Sequence, residues 1–257
     1  MTNPERESPQ QEPREDIVIG RRAVSEVLTS GRPVDCIWVA KGERTGGIVP
    51  LLARCRELGL LIKEADSRKL DALSGGDYHQ GIVAVCAAAA YVEPEDLFAA
   101  AERAGEPPFL LFCDEIADPH NLGAILRTVD AVGAHGVVIP KRRSVGLTAA
   151  VYKTSAGAAA HVPVARVSNL AQAIRDVKAR GVWVYGLDMD GDDLFATRLD
   201  GAVALVVGAE GRGLSRLTRE LCDGIVSLPM RGQVGSLNAS VACGIALYRV
   251  GQSRGIS

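Results

Sequence analysis

Three short polar blocks hold the side chains best suited to chemistry. They are Asp118-Pro-His-Asn-Leu-Gly-Ala-Ile-Leu-Arg127, Leu205-Val-Val-Gly-Ala-Glu-Gly-Arg-Gly213 and Gly232-Gln-Val-Gly-Ser-Leu-Asn-Ala-Ser240. Asn121, Arg127, Glu210, Ser236 and Asn238 offer amides, a fixed cation, a carboxylate and a hydroxyl. The glycines of the second block let backbone approach a flat ligand closely. Its spacing fits neither G-x-G-x-x-G nor G-x-x-x-x-G-K-[ST], so it gives little support to a nicotinamide dinucleotide or a P-loop nucleotide. Each feature also has a plainer reading. Asn121 and Asn238 each precede an apolar-periodic helix and suit an N-cap; Arg127 suits a solvated helix face, and Glu210 a solvated turn.

Each block lies beside an expected strand end, where open α/β sheets bind their ligands. The elements that must position them follow from periodicity. Phe109-Leu-Leu-Phe-Cys113 is a continuous apolar run, as in a parallel strand covered on both faces. Leu122, Ile125, Leu126 and Val129 follow at helical spacing. Strands are expected at 109–116, 136–139, 162–167, 182–187, 203–207 and 225–228, with helices at 147–159, 169–180, 214–222 and 238–250 between or after them. Such alternation predicts a mostly parallel sheet with helices on both faces.

Upstream, a smaller alternating unit is expected: helix 21–29, strand 35–40, helix 48–58, strand 60–65, helix 67–73 and strand 81–88. The domain plan is a disordered tail at 1–16, a small α/β/α unit at 17–88, a linker at 89–108, a large α/β domain at 109–251 and a tail at 252–257. The linker is suggested by an alanine run, Gly105 and Pro107-Pro108.

Composition narrows the class. The chain has 257 residues, 47% of them hydrophobic and only 4% aromatic, so its core must be built mainly from Val, Leu, Ile and Ala. The longest apolar run, 82–92, falls well short of the roughly 20 residues a membrane span needs. Cys36, Cys55, Cys86, Cys113, Cys222 and Cys243 form no C-x-x-C pair, which predicts buried free thiols in a reducing cytoplasm rather than metal ligands. Formal charge is −2. The first sixteen residues carry a net −3, leaving +1 for the rest, with basic clusters at Lys141-Arg142-Arg143 and around Arg212, Arg216 and Arg219. Net charge neither supports nor excludes a nucleic-acid partner.

The blocks together resemble the three signature motifs of the SpoU/TrmH family of RNA ribose 2′-O-methyltransferases. Asn121-x-Gly123-x-x-x-Arg127 is similar to the first motif and Leu205–Gly213 to the second; Ile225-Val-Ser-Leu-Pro-Met230 with Gly235-Ser-Leu-Asn-Ala-Ser-Val-Ala242 is similar to the third. The small first domain, ending in Tyr78-His-Gln-Gly-Ile82, resembles the ribosomal-protein-like domain found in the ribosomal RNA branch. That likeness favours a guanosine of 23S ribosomal RNA as target over the alternatives of transfer RNA, an antibiotic-resistance site in ribosomal RNA or a non-catalytic assembly role. The resemblance implies a SPOUT-type sheet with a C-terminal trefoil knot and a homodimer. It implies S-adenosylmethionine held largely by backbone at Gly208, Leu228 and Leu237, with Ile225 to Met230 as one wall. It assigns catalysis to Arg127, supported by Asn121, Glu210, Ser236 and Asn238, and an RNA-binding role to the first domain, whose basic residues Arg21, Arg22, Lys41 and Arg44 suit contacts to an RNA backbone.

Overall fold

The computed structural model describes residues 17–30, 32–42, 47–86, 91–233 and 235–256. The tail expected at 1–16 lies outside them, as do the end of the strand expected at 81–88 and Arg44. The described chain forms two sheets.

The first contains β1 (Ile17–Ile19), β2 (Val34–Ala40), β3 (Ile62–Ala65) and β4 (Ile82–Cys86), with α1 (Arg21–Ser30), α2 (Ile48–Glu57) and α3 (Ser67–Ser74). The strand order is β1-β4-β2-β3. β4 runs antiparallel to β1 and β2, while β2 and β3 are parallel. Alternation divides the sheet. Ile37 and Val39 of β2 face α1 and α2, where Val24, Val27, Leu52 and Cys55 complete a core. Trp38, between them, points to the opposite face with Leu70 of α3. β1 was not anticipated; three residues are too few to display a period.

The stretch expected as a linker holds α4 (Pro94–Ala104). Its prolines and glycine are helix boundary signals: Pro94 opens the first turn, Asp96 Oδ2 accepts from Glu93 N at 3.0 Å, and Gly105 closes the helix in the left-handed conformation at φ +69°. Leu97 and Ala101 are buried, and Val92 N donates to Val164 O at 2.9 Å. This segment therefore packs as part of the larger unit.

That unit continues through β5 (Phe109–Cys113), α5 (Pro119–Ala131), β6 (Gly136–Pro140), α6 (Ala149–Thr154), β7 (Val164–Val167) and α7 (Leu170–Ala179). β8 (Trp183–Asp193), β9 (Val203–Val207), α8 (Arg216–Leu221), β10 (Gly224–Ser227) and α9 (Ala239–Ser253) complete it. All six strands are parallel, in the order β10-β8-β9-β5-β6-β7. Every residue of β5 and β9 is buried. Phe109, Leu111 and Cys113 face α5 and α9. Leu110 and Phe112 face α4 and α7. Four boundaries move by three residues or more, beginning with β5, which ends at Cys113 rather than at 116. α6 stops at Thr154 because Ala156 and Gly157 take positive φ, β8 runs on to Asp193, and α9 continues into the expected tail at 252–257.

α1 of the first unit packs on α6 of the second. Glu26 meets Lys153 at 2.9 Å, and Arg32 lies 5.9 Å from the centre of the Tyr152 ring.

Candidate active site

The carboxyl ends of β5, β8, β9 and β10 converge at one edge of the larger sheet, and the polar blocks leave from there. The Gly208–Gly213 loop follows β9 and folds back on itself, Gly213 N donating to Ala209 O at 2.9 Å. A Cβ on Gly208 would overlap the backbone of Gly213, so only glycine permits this turn. Two carboxylates fix the loop. Asp114, buried at the end of β5, accepts from Ser215 N through Oδ2 at 2.8 Å, holding the loop where it enters α8. Asp188, on β8, accepts from Arg219 Nη1 at 2.8 Å, and Arg219 Nη2 reaches Asp190 at the same distance.

Beside the loop runs a chain of side-chain amides whose orientation follows from helix capping. Asn238 caps α9, its Oδ1 accepting from Ser240 N at 3.0 Å and Ser240 Oγ at 2.6 Å. With that oxygen engaged, Nδ2 points the other way and donates to Asn121 Oδ1 at 2.9 Å. Asn121, buried in the first turn of α5, must then direct its own Nδ2 outward, where it donates to Glu210 Oε2 at 3.2 Å. One cap thus sets the direction of three groups drawn from the three blocks. α5 itself is capped by Asp118, not Asn121: Asp118 Oδ1 accepts from His120 N at 2.9 Å.

Gly208, Glu210, Leu228, Met230, Ser236 and Leu237 line a single cavity, together with Asp188. Ser236 makes no hydrogen bond among the described residues. Two expected site residues are placed elsewhere. Ile225 packs beneath the sheet with Leu214, and Val226 faces the cavity instead, because neighbouring strand residues point to opposite faces. Arg127 is exposed, and it makes no ion pair or hydrogen bond among the described residues. It follows Asn121 by six residues, which is about 240° around α5 and about 9 Å along it. His120 does not line the cavity. Asp114, Asp188 and Arg219 were missed from sequence, although an acid directly after a buried apolar strand was a usable signal. Nearby, burial pushes the Cys243 thiol up to about 12 and raises Cys113 as well, so neither offers a thiolate at neutral pH. All six cysteines are free.

Known proteins resemble this chain over most of its length. Residues 108–248 match the model of the SpoU rRNA Methylase family. Residues 17–92 match a domain described as RNA 2′-O ribose methyltransferase substrate binding. The Bacillus subtilis (strain 168) protein YacO, named for the TrmH family of tRNA/rRNA methyltransferases, is 48% identical over 241 residues, spanning 93% of this chain and 96% of its own. An uncharacterized tRNA/rRNA methyltransferase of Mycobacterium avium (strain 104) is 46% identical over 243 residues, 93% of this chain and 78% of its own. The crystal structure of the SpoU methyltransferase AviRb from Streptomyces viridochromogenes, in complex with the cofactor AdoMet, superposes with a TM-score of 0.64 at 26% identity. That match covers 93% of this chain and 89% of the other.

Proposed function

The chain belongs to the SpoU rRNA Methylase family, and from that premise we propose that it methylates the 2′-hydroxyl of a guanosine ribose in 23S ribosomal RNA, using S-adenosylmethionine. The observation carrying this reading is the Asn238–Asn121–Glu210 relay beside the cavity of the glycine loop. That cavity suits the cofactor. Leu187, Val207, Leu228 and Leu237 supply apolar walls for a flat ring, and the glycine loop brings backbone close. The bound cofactor supplies an electrophilic methyl group. The chain's task is to hold the ribose oxygen in line with it, and such positioning contributes about 7–11 kcal/mol. Glu210, steadied through one oxygen by Asn121, offers the other to a ribose hydroxyl; Ser236 and Asn238 complete the cradle.

A guanidinium is a poor base. Arg127 therefore acts by binding the phosphate next to the target and lowering the hydroxyl's pKa electrostatically. Its position implies a second copy. Ala124 and Thr128, on the same stripe of α5, border a groove with Val241, Tyr248 and Phe195, all three about half exposed. A homodimer closed on this α5–α9 face would bring Arg127 of one copy towards the relay of the other. We also read a trefoil knot here. The segment after β8 clasps α9, Ser253 Oγ donating to Leu199 O at 3.1 Å and Arg249 Nη2 to Thr197 O at 3.4 Å. No helix among the described residues is long and apolar enough to cross a membrane, and an RNA substrate places the protein in the cytoplasm.

The test is methyl transfer from labelled S-adenosylmethionine to large-subunit ribosomal RNA and, separately, transfer RNA, both from a strain lacking the gene. Label as a 2′-O-methyl at one ribosomal guanosine is expected, and label confined to transfer RNA would overturn the target. Arg127→Ala should lower the rate at least tenfold. Mixing Arg127→Ala with Asn238→Ala should restore about a quarter of wild-type activity, since random exchange makes half the dimers mixed, each with one intact site of two. No recovery would place Arg127 on its own chain's site.

A further inference from the structure

We propose that Tyr78, in the loop between α3 and β4, is a stacking platform for one unpaired base of the RNA substrate, with Arg21 beside it to take that nucleotide's phosphate. The inference rests on the reading that the substrate is RNA, and it assigns a contact point within the first domain.

Tyr78 is 86% exposed, more than any other large hydrophobic side chain described. The loop that presents it is nevertheless tightly fixed on both sides. His79 Nδ1 accepts from Gly81 N at 3.0 Å, and its Nε2 lies 3.2 Å from Asp71 Oδ1. A ring nitrogen that accepts must be unprotonated, so the proton sits on Nε2 and is donated to Asp71. Gln80 takes a left-handed conformation at φ +53°, which a side-chain-bearing residue adopts only at a cost. Arg21 offsets that cost: its N donates to Gln80 Oε1 at 3.0 Å, and its Nε to Gln80 O at 3.1 Å. His79 and Gln80 are thus bound inward while the Tyr78 ring is left in water.

An exposed ring on a fixed loop suits a ligand with a flat face. Arg21 makes no ion pair among the described residues, so its terminal nitrogens remain for an anion. Arg21, Tyr78 and Asp77 line the same open cleft. Of the cleft's two carboxylates, Asp71 is engaged by His79. Asp77 would repel a phosphate but can accept from the amino group of a base. Ring, cation and acceptor together match a splayed nucleotide, the form in which RNA sequence is usually read.

The experiment uses the full chain and a fragment of large-subunit ribosomal RNA that the wild type binds. Stacking on one ring is sequence-tolerant and uncharged, so Tyr78→Ala should weaken RNA binding by about tenfold or more without altering its salt dependence. Tyr78→Phe, which keeps the ring, should bind as the wild type does. Arg21→Gln should instead flatten the log–log salt slope by about 0.7, the signature of one lost phosphate contact on a single strand. Affinity for S-adenosylmethionine and the Tm should stay unchanged in Tyr78→Ala. Tyr78→Trp should retain binding and show tryptophan fluorescence quenched by RNA. The proposal is overturned if Tyr78→Ala binds normally, if Tyr78→Phe is as impaired as Tyr78→Ala, or if the Tyr78→Ala defect is in self-association alone. A wild-type protein that neither binds nor methylates RNA would overturn the functional reading first. Normal methylation with normal binding by Tyr78→Ala would overturn this inference alone.

Discussion

Glycines at the cleft of the larger unit and glycines in the turns of the smaller one do different work. At the carboxyl edge of the six-stranded sheet, Gly208 and Gly123 stand where another segment of chain comes close. A methyl at Gly208 would overlap Gly213, and one at Gly123 would overlap Thr154 and come within 2.9 Å of Ser155 N. In the four-stranded unit, Gly59, Gly75 and Gly76 take positive φ with nothing within 4 Å of a would-be Cβ. The first set makes room for close approach, while the second only turns the chain. The sheets differ in the same way. β5 and β9 are buried throughout, whereas β3 at the edge of the smaller sheet exposes Lys63 and Glu64. A cofactor cleft formed by backbone requires rigid, covered strands. A surface that meets a large, variable polymer can be built on a sheet with a free edge.

The largest effect should come from breaking that contrast at the cleft. Gly208→Ala places a methyl against main chain that cannot rotate away. It is expected to abolish S-adenosylmethionine binding by calorimetric titration while leaving the first unit folded. Gly59→Ala, at φ +67° in open space, should cost only about 1 kcal/mol of stability. It should leave cofactor affinity unchanged. Equal damage from the two substitutions would show that close approach and chain turning are not separate roles at these two glycines.

A smaller effect separates capping from chemistry within one side chain. Asn238 both caps α9 and donates to Asn121. Asn238→Asp keeps the accepting oxygen but replaces the donor with a second acceptor, which faces Asn121 Oδ1. Stability should be retained and methyl transfer should fall sharply. Asn238→Ala should lose activity and, in addition, about 1 kcal/mol for the missing cap. If Asn238→Asp is as active as the wild type, the relay has no part in the reaction.

The larger sheet was legible because uniformly apolar five-residue runs admit few alternatives to covered parallel strands. α4 was not, because Gly105 and Pro107-Pro108 were taken as linker marks when Gly105 is the stop of a helix that Pro94 begins. The far half of β8, Asp188 to Asp193, has no apolar pattern. It is a strand through pairing with β10 across an irregular register, a tertiary cause that local sequence does not record. Asn121, Glu210 and Asn238 stood out as polar groups at strand ends, and the structure joins them. The 3.6-residue period already placed Asn121 and Arg127 on different faces of α5, and strand alternation already favoured Val226 over Ile225 as a cavity wall. Both were readable from sequence. The Asp114 clamp depends on Ser215, 101 positions away, and becomes visible only when β5 and β9 are seen to be neighbours.

The smallest expected effect tests the other end of the same sheet, where covered strands should govern stability without touching the reaction. His135 lies buried at the amino edge, its Nδ1 accepting from Phe109 N at 3.0 Å. Burial lowers its pKa, partly opposed by Glu106, whose carboxylate lies 3.6 Å from Nε2. A lowered pKa means that the unfolded chain binds a proton which the folded chain resists. The His135 contribution is therefore complete above the unfolded value of about 6.5 and declines as pH falls from there towards the lowered folded value. The wild-type Tm should sag below about pH 6.5, and His135→Gln should remove that part of the sag. At pH 8 the variant should methylate RNA at the wild-type rate, because the cleft lies at the opposite ends of the strands. A matching loss of activity at pH 8 would show that the two edges of the sheet are coupled, and that its covered strands do not insulate the cleft from the far side.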